Sequence, residues 1–160
     1  LNPKVKLILV GKDVPDIISG SASTWTMMKT LFTEQALLNV NYLGSVPYQE
    51  IQKHISEAAI CVFPSFAEAL PVSWIEAMGM QKAVVASNIG WATDVIDDGV
   101  NGFLINPKNH EEYASKINIL LSNASMREEF GISAREKVIQ KFSISVVAQQ
   151  SLLFYKSLIK

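Results

Sequence analysis

Hydrophobic residues fall along this chain in two alternating rhythms, short β-branched runs closed by turn residues and longer stretches with apolar positions three and four apart. Val5-Lys6-Leu7-Ile8-Leu9-Val10 ends at Gly11 and predicts a buried strand. After a loop with Pro15 and Gly20, Ser23 caps a predicted helix over 24–38, with Trp25, Met28, Leu31, Phe32 and Leu38 at helical spacing. A second strand, 40–43, stops at Gly44, and Pro47 opens a helix whose inner face carries Ile51, Ile55 and Ala58. The third strand is 59–63, followed by a loop over 64–70 and a helix over 71–80. A strand over 83–86, a short helix over 91–96, turn residues Asp97-Asp98-Gly99 and Asn101-Gly102, and a last strand over 102–105 complete the alternation.

Beyond Asn106-Pro107 only helical patterns remain, over 109–121, 125–141 and 143–157. Strands alternating with helices predict an α/β fold: a Rossmann-like parallel sheet with helices on both faces, followed by a helical C-terminal tail. The 160 residues are expected to form a single domain, since a domain takes roughly 150 residues. At 49% hydrophobic and 18% charged residues, the chain has the composition of a folded protein, not of a disordered one.

Charge narrows the function. Fourteen Lys and Arg against fifteen Asp and Glu leave a formal charge of -1, without the basic surplus that grips a nucleic-acid backbone. One cysteine, Cys61, cannot form an internal disulfide, and His54 and His110 lie far from each other in sequence, so no Cys/His metal site is expected. No apolar run approaches the ~18 residues of a membrane span, and a reduced, cytoplasmic setting is the simplest expectation. The chain opens at Leu1 and enters a strand almost at once, as a piece of a longer protein would.

In open parallel sheets, ligands bind beyond the carboxyl ends of the strands. The loop after the third strand carries Glu68 and runs into a helix that is apolar nearly all round, except for Ser73, Glu76 and Gly79 on one narrow face. The helix start offers outward amides and the positive end of its dipole, a site for phosphate. Pro71 removes one donor but fixes the entry turn. Two carboxylates beside such a start can accept hydrogen bonds from sugar hydroxyls, and a nucleotide-sugar offers both diphosphate and diol. The plainer reading is that Glu76 pairs with a lysine such as Lys82 or reaches solvent, and that Glu68 decorates a surface loop.

These residues also carry a resemblance. Glu68 and Glu76 stand in a Glu-x7-Glu arrangement. Pro64-Ser65 through Glu68, Ile75-Glu76-Ala77-Met78 and Ala83-Val84-Val85-Ala86-Ser87 resemble the signature of the family 4 ("group 1") retaining glycosyltransferases of the GT-B fold. Leu9-Val10-Gly11, Leu43-Gly44-Ser45-Val46-Pro47, Asp98-Gly99-Val100-Asn101-Gly102-Phe103-Leu104 and Phe142-Ser143 follow in the order this family shows, so the resemblance spans essentially the whole chain.

The resemblance implies one half of a GT-B fold, in which the C-terminal half binds the nucleotide-sugar donor and an N-terminal acceptor domain, absent from this chain, faces it across the active-site cleft. Glu76 is then expected to hold the ribose hydroxyls and Glu68 to act as the catalytic carboxylate near the reacting sugar. The amides of Ala69, Leu70 and Val72 are expected to cradle the diphosphate or sugar, with Gly11 on the donor side and Gly44, Ser45 and Val46 bordering the base. The leaving diphosphate would be stabilised by helix amides and upstream cations, with no cofactor and no metal required. Membrane contact would be peripheral and confined to the missing half. The isolated chain is expected to be inactive, and Leu152, Phe154 or Tyr155 on the last helix to be exposed and to favour self-association.

The sequence departs from the family pattern at several points. Ala69-Leu70-Pro71 and Gly90-Trp91 stand where glycines are frequent, Asp94 replaces a glutamate, and the family's diphosphate-neutralising basic residues would precede Leu1. Trp91 either packs, the simpler outcome, or narrows the sugar pocket. Two readings keep a related fold: half of a nucleotide-sugar epimerase, or a nucleotide-sugar-binding module without catalysis. A signalling receiver would need an Asp at the end of the third strand, where Phe63 runs into Pro64-Ser65. Asp97-Asp98 reads as a turn, His54 and His110 as surface residues, Cys61 as a core residue, and Lys4, Lys6 and Lys12 as a solvated strand edge.

Overall fold

The computed structural model describes residues 5–159, so Lys4 of the expected basic edge lies outside the described residues. The chain divides into two compact units, Leu1–Gln52 and Lys53–Lys160, with the division inside a helix.

In the first unit, β1 (Leu7–Leu9) pairs in parallel with β2 (Val40–Tyr42), Ile8 opposite Asn41. The expected helix over 24–38 is two short helices, α1 (Thr24–Lys29) and α2 (Glu34–Leu37). The break has a local cause. The Thr30 hydroxyl turns back to the Met27 carbonyl at 2.7 Å, and Thr33 then caps α2 by accepting the Ala36 amide at 3.2 Å. With the helical phase lost, Leu31 and Leu38 do not reach a core and stand 76% and 82% exposed. Nor is β1 the buried strand that its apolar run predicts, because a two-stranded sheet gives Leu7 and Ile8 nothing to cover them within this unit. The last helix begun in this unit is α3 (Tyr48–Glu57).

The second unit is built on three parallel strands in the order β3 (Ile60–Phe63), β4 (Ala83–Ser87) and β5 (Phe103–Ile105). The central strand, Ala-Val-Val-Ala-Ser, is buried throughout, as a parallel strand covered on both faces should be. Period-two alternation sorts the apolar side chains. Cys61, Val84, Ala86 and Leu104 face a core closed by Trp74, Ala77 and Met78 of α4 (Val72–Gly79) and by Ala92 and Val95 of α5 (Ala92–Val95). Ala83, Val85, Phe103 and Ile105 face a second core closed by Tyr113 and Leu120 of α6 (His110–Ser122). The long helix α7 (Ala124–Phe142) contributes Ala134 to the first core and Phe130 to the second. This unit is the expected parallel sheet with helices on both faces.

Asn109 and Asn123 cap α6 and α7, accepting the amides of Glu112 and Met126. The tail ends in α8 (Ile144–Leu158), where Leu152, Phe154 and Tyr155 are exposed as the sequence leads one to expect. Cys61 is a core residue whose burial pushes its thiol up to about 11. His54 departs from its expected surface position: it is half-buried, with Nδ1 shut off from solvent, because Ile55 and Ala58 draw the same end of α3 onto the first core. Among the described residues, no helix is long and apolar enough to cross a membrane.

The tightest packing joins α7 to the turn after α4. A Cβ added at Gly131 would stand 2.2 Å from the Gln81 carbonyl oxygen, and Arg135 donates to the Gly79 carbonyl beside it. Gly131→Ala is therefore expected to lower stability by about 1–3 kcal/mol through forced separation of helix and turn. Urea denaturation should show the loss as a lower midpoint with an unchanged slope.

Candidate active site

The candidate site begins where β3 ends. The Phe63 carbonyl, last in the strand, accepts the Tyr113 hydroxyl at 3.2 Å, and Ser87 Oγ lies 2.8 Å from Tyr113 Oη and 3.4 Å from the same carbonyl. Ser87 is the last residue of β4, so a residue of α6 ties together the carboxyl ends of two neighbouring strands. Burial raises the Tyr113 pKa above its ordinary value, against the opposing effect of the Ser87 bond, which keeps the phenol protonated and able to donate.

From that anchor the chain leaves as an exposed loop bearing Phe66, Glu68, Ala69 and Leu70. Ser65 donates to Glu68 Oε1 at 2.8 Å and thereby orients the carboxylate from within its own loop. Pro71, buried at the helix N-cap, makes no side-chain cap bond, and the first bonded amide is that of Trp74, which donates to the Pro71 carbonyl at 3.0 Å. Helix geometry leaves the preceding amides, those of Val72 and Ser73, without intrahelical acceptors. Both residues are exposed, Ser73 on the polar face that the sequence gives this helix, while Trp74, Ala77 and Met78 are buried. Trp74, 1% exposed, holds the buried face and stacks on Phe63 with ring centroids 6.1 Å apart.

Glu76 lies on this helix in a half-buried position. Lys82, the lysine expected as its plain partner, donates to the Ser56 carbonyl at 2.7 Å. Thus Glu68, Ala69, Leu70, Val72 and Glu76 belong to one continuous loop-and-helix segment at the carboxyl end of β3. A second turn meets that segment. Gly90 has φ +50 and backs onto the Glu68 carbonyl so closely that a Cβ there would stand 3.1 Å from it. The next residue, Trp91, is 64% exposed, so the expected packing does not occur; its neighbour Ala92 takes the buried place instead. Trp91 sits at the N-cap of α5 with its side chain outside the core.

The other expected donor residues lie in the first unit. The Gly11 amide donates to the Gly44 carbonyl at 2.9 Å and Tyr42 Oη donates to the Gly11 carbonyl at 2.8 Å, so the ends of β1 and β2 are locked together. A cleft of about 230 Å³ opens there, lined by Gly11, Lys12, Trp25 and Tyr42 among others. Ser45 and Val46 follow Gly44 in the turn before α3.

Asp97 and Asp98 are spent on structure. Asp97 takes the Asn101 side-chain amide and the Lys137 ammonium, the latter at 2.8 Å, and the Lys137 bond chiefly holds its carboxyl below the ordinary range. Asp98 accepts the Leu104 amide at 2.9 Å. The turn expected at this point is the one observed.

A family model described as glycosyl transferases group 1 matches residues 1–137. The chain belongs to this family. Among curated relatives, the group 1 chain is 31% identical to the alpha-maltose-1-phosphate synthase of Mycolicibacterium smegmatis, over 96% of this chain and 41% of the relative. Its structure is similar to that of HepE from Anabaena solved with UDP, at a TM-score of 0.86 and 25% identity over 97% of this chain and 42% of that one; HepE has also been solved with UDP-glucose. It is similar as well to the C-terminal domain of a group 1 family protein, LpcC from Francisella tularensis, at a TM-score of 0.67 and 26% identity over 75% of this chain and 63% of that one. The group 1 chain thus spans 41% of the curated relative's length and carries a GT-B C-terminal-domain fold.

Sequence reasoning reached the Glu68–Glu76 segment but missed the Ser87–Tyr113–Phe63 anchor. The signal was thin, a polar serine ending an apolar strand and a tyrosine in the first turn of a helix 26 positions later. Replacing Tyr113 with Phe should leave the fold intact but cost about 1 kcal/mol, the net worth of a buried hydrogen bond whose partners keep a substitute. Chemical denaturation of the variant measures this, and Tyr113→Phe combined with Ser87→Ala should cost more, since the Phe63 carbonyl then loses both hydroxyls.

Proposed function

We propose that this chain is the donor-binding half of a retaining glycosyltransferase, taking a nucleotide-diphosphate sugar and presenting it to an acceptor held by another domain of a longer protein. The observation that carries the proposal is the continuous segment from Glu68 to Glu76. It combines one carboxylate oriented by Ser65, an exposed helix start and a second carboxylate further along the same helix, all following the carboxyl end of β3 in the parallel sheet. The complexes of HepE with UDP and UDP-glucose support the same ligand class.

In this reading the amides of Ala69, Leu70 and Val72 and the positive end of the α4 dipole receive the diphosphate and stabilise the charge that grows on it as the glycosidic bond breaks. Glu76 accepts hydrogen bonds from the two ribose hydroxyls, a charge-assisted pair that fixes the nucleotide's register. Glu68 accepts from hydroxyls of the donor sugar, and the Ser65 bond leaves its second oxygen available for that task. Acceptor binding and further neutralisation of the diphosphate come from outside these residues, so the chain alone performs no transfer. No step calls for a metal ion.

The test is calorimetric titration of the chain with UDP-, GDP- and ADP-sugars, repeated with Glu76→Ala. One nucleotide should bind selectively. Loss of the charge-assisted ribose contacts should weaken it by ~1.5–3 kcal/mol, about ten- to a hundred-fold. Binding unchanged by Glu76→Ala would move the site away from this segment, and clear transfer by the chain alone with any donor and acceptor pair would overturn the division of labour.

A further inference from the structure

Resting on the donor-site reading, we propose that Trp91 is a wall of the donor-sugar subsite, its indole stacking on the sugar ring and so helping to decide which sugar is accepted. The chain has three tryptophans, and the structure treats them differently. Trp74 is sealed in the core, and Trp25 lies in a tilted pair with Tyr42, ring centroids 4.8 Å apart. Trp91 is 64% exposed, although it begins an element whose next residue, Ala92, is 2% exposed.

Its backbone is fixed all the same. The Ala92 amide donates to the Ile89 carbonyl at 3.0 Å, the Asp94 amide to the Trp91 carbonyl at 3.0 Å, and Val95 and Ile96 are buried below. A large apolar ring is thus held in solvent by a backbone that is itself fixed.

The location supplies the ligand. The Gly90–Trp91 turn lies against the backbone of Glu68: a Cβ on Gly90 would stand 3.1 Å from the Glu68 carbonyl oxygen, and φ +50 itself favours glycine. Trp91 follows directly from that contact, and on the donor-site reading its indole shares the sugar with the Glu68 carboxylate. A pyranose ring has hydroxyls on its rim and C–H bonds on its faces, so a carboxylate and an indole side by side satisfy both parts of it. Aromatic walls with a few placed polar groups are the usual build of small-molecule sites. Leu70 and Val72, both exposed on the neighbouring loop and helix start, add to the apolar surroundings.

Selectivity follows from contact. A sugar presenting an unbroken C–H face gains the stacking, whereas one placing an axial hydroxyl against the ring must desolvate it without a partner.

The experiment is calorimetry on the 160-residue chain and its Trp91→Ala and Trp91→Phe variants, with UDP, GDP and ADP and with the glucose conjugate of each. For the nucleotide that binds, Trp91→Ala should weaken the conjugate about ten-fold while changing the free diphosphate less than about two-fold, and Trp91→Phe should recover most of the loss. In NMR spectra of the complex, the indole protons that vanish in Trp91→Phe should show intermolecular NOEs to the glucose ring. Equal loss for conjugate and free nucleotide, no loss at all, or sugar NOEs confined to other residues would overturn this assignment while leaving Glu76-dependent nucleotide binding, and with it the donor-site reading, in place. Failure of the wild-type chain to bind any of these ligands would overturn both.

Discussion

Burial of β4 on both faces is the constraint on which the second unit depends. Five residues without a charge are clamped between β3 and β5, and their alternating side chains divide the apolar interior into two cores. A parallel strand so placed must satisfy its backbone entirely through its neighbours, which fixes register residue by residue, Phe63 against Ala86 and Ser87 against Ile105. That register decides where the strands stop, and where they stop decides where the Glu68 and Trp91 loops emerge. The end of the sheet from which these loops leave is thus a consequence of apolar packing some distance below it.

At the rim the constraint changes from apolar to polar. Ser87 ends the buried strand with a hydroxyl, Tyr113 reaches across from α6, and both converge on the last carbonyl of β3. Above this anchor, stiffness comes from local devices: Ser65 on Glu68, Pro71 at the helix entry, and Gly90 against the Glu68 backbone. A side chain on a loop has a fixed position only if the loop is held, and this order of attachment holds the Glu68 loop from the core outward.

The sequence made the strands legible because β-branched runs and turn residues coincide at each of them. It made the Glu68–Glu76 segment legible because a charged residue on an apolar helix has few cheap explanations. What it hid were choices between neighbours of similar character. Thr30 and Thr33 could have continued one helix, yet their hydroxyls competed with the backbone and split it. Trp91 and Ala92 compete for one buried place, and the small residue occupies it. His54 was read from its polar neighbours Gln52 and Lys53, whereas tertiary packing of Ile55 and Ala58 decided its environment. The contact of Tyr113 with Phe63 joins residues 50 positions apart, beyond the reach of any local pattern.

Gly131 and Gln81 are likewise distant in sequence and inseparable in space. Gln81 adopts φ 62, a left-handed conformation costly for a residue with a side chain, and in doing so brings its carbonyl against the bare Cα of Gly131. The turn and the helix therefore form a lock and key at the level of the main chain. Sequence drift at these two positions is bound together: a side chain at 131 becomes acceptable only after the turn at 81 has changed its course, so homologues with a longer or shorter turn there should be the ones in which the glycine is released.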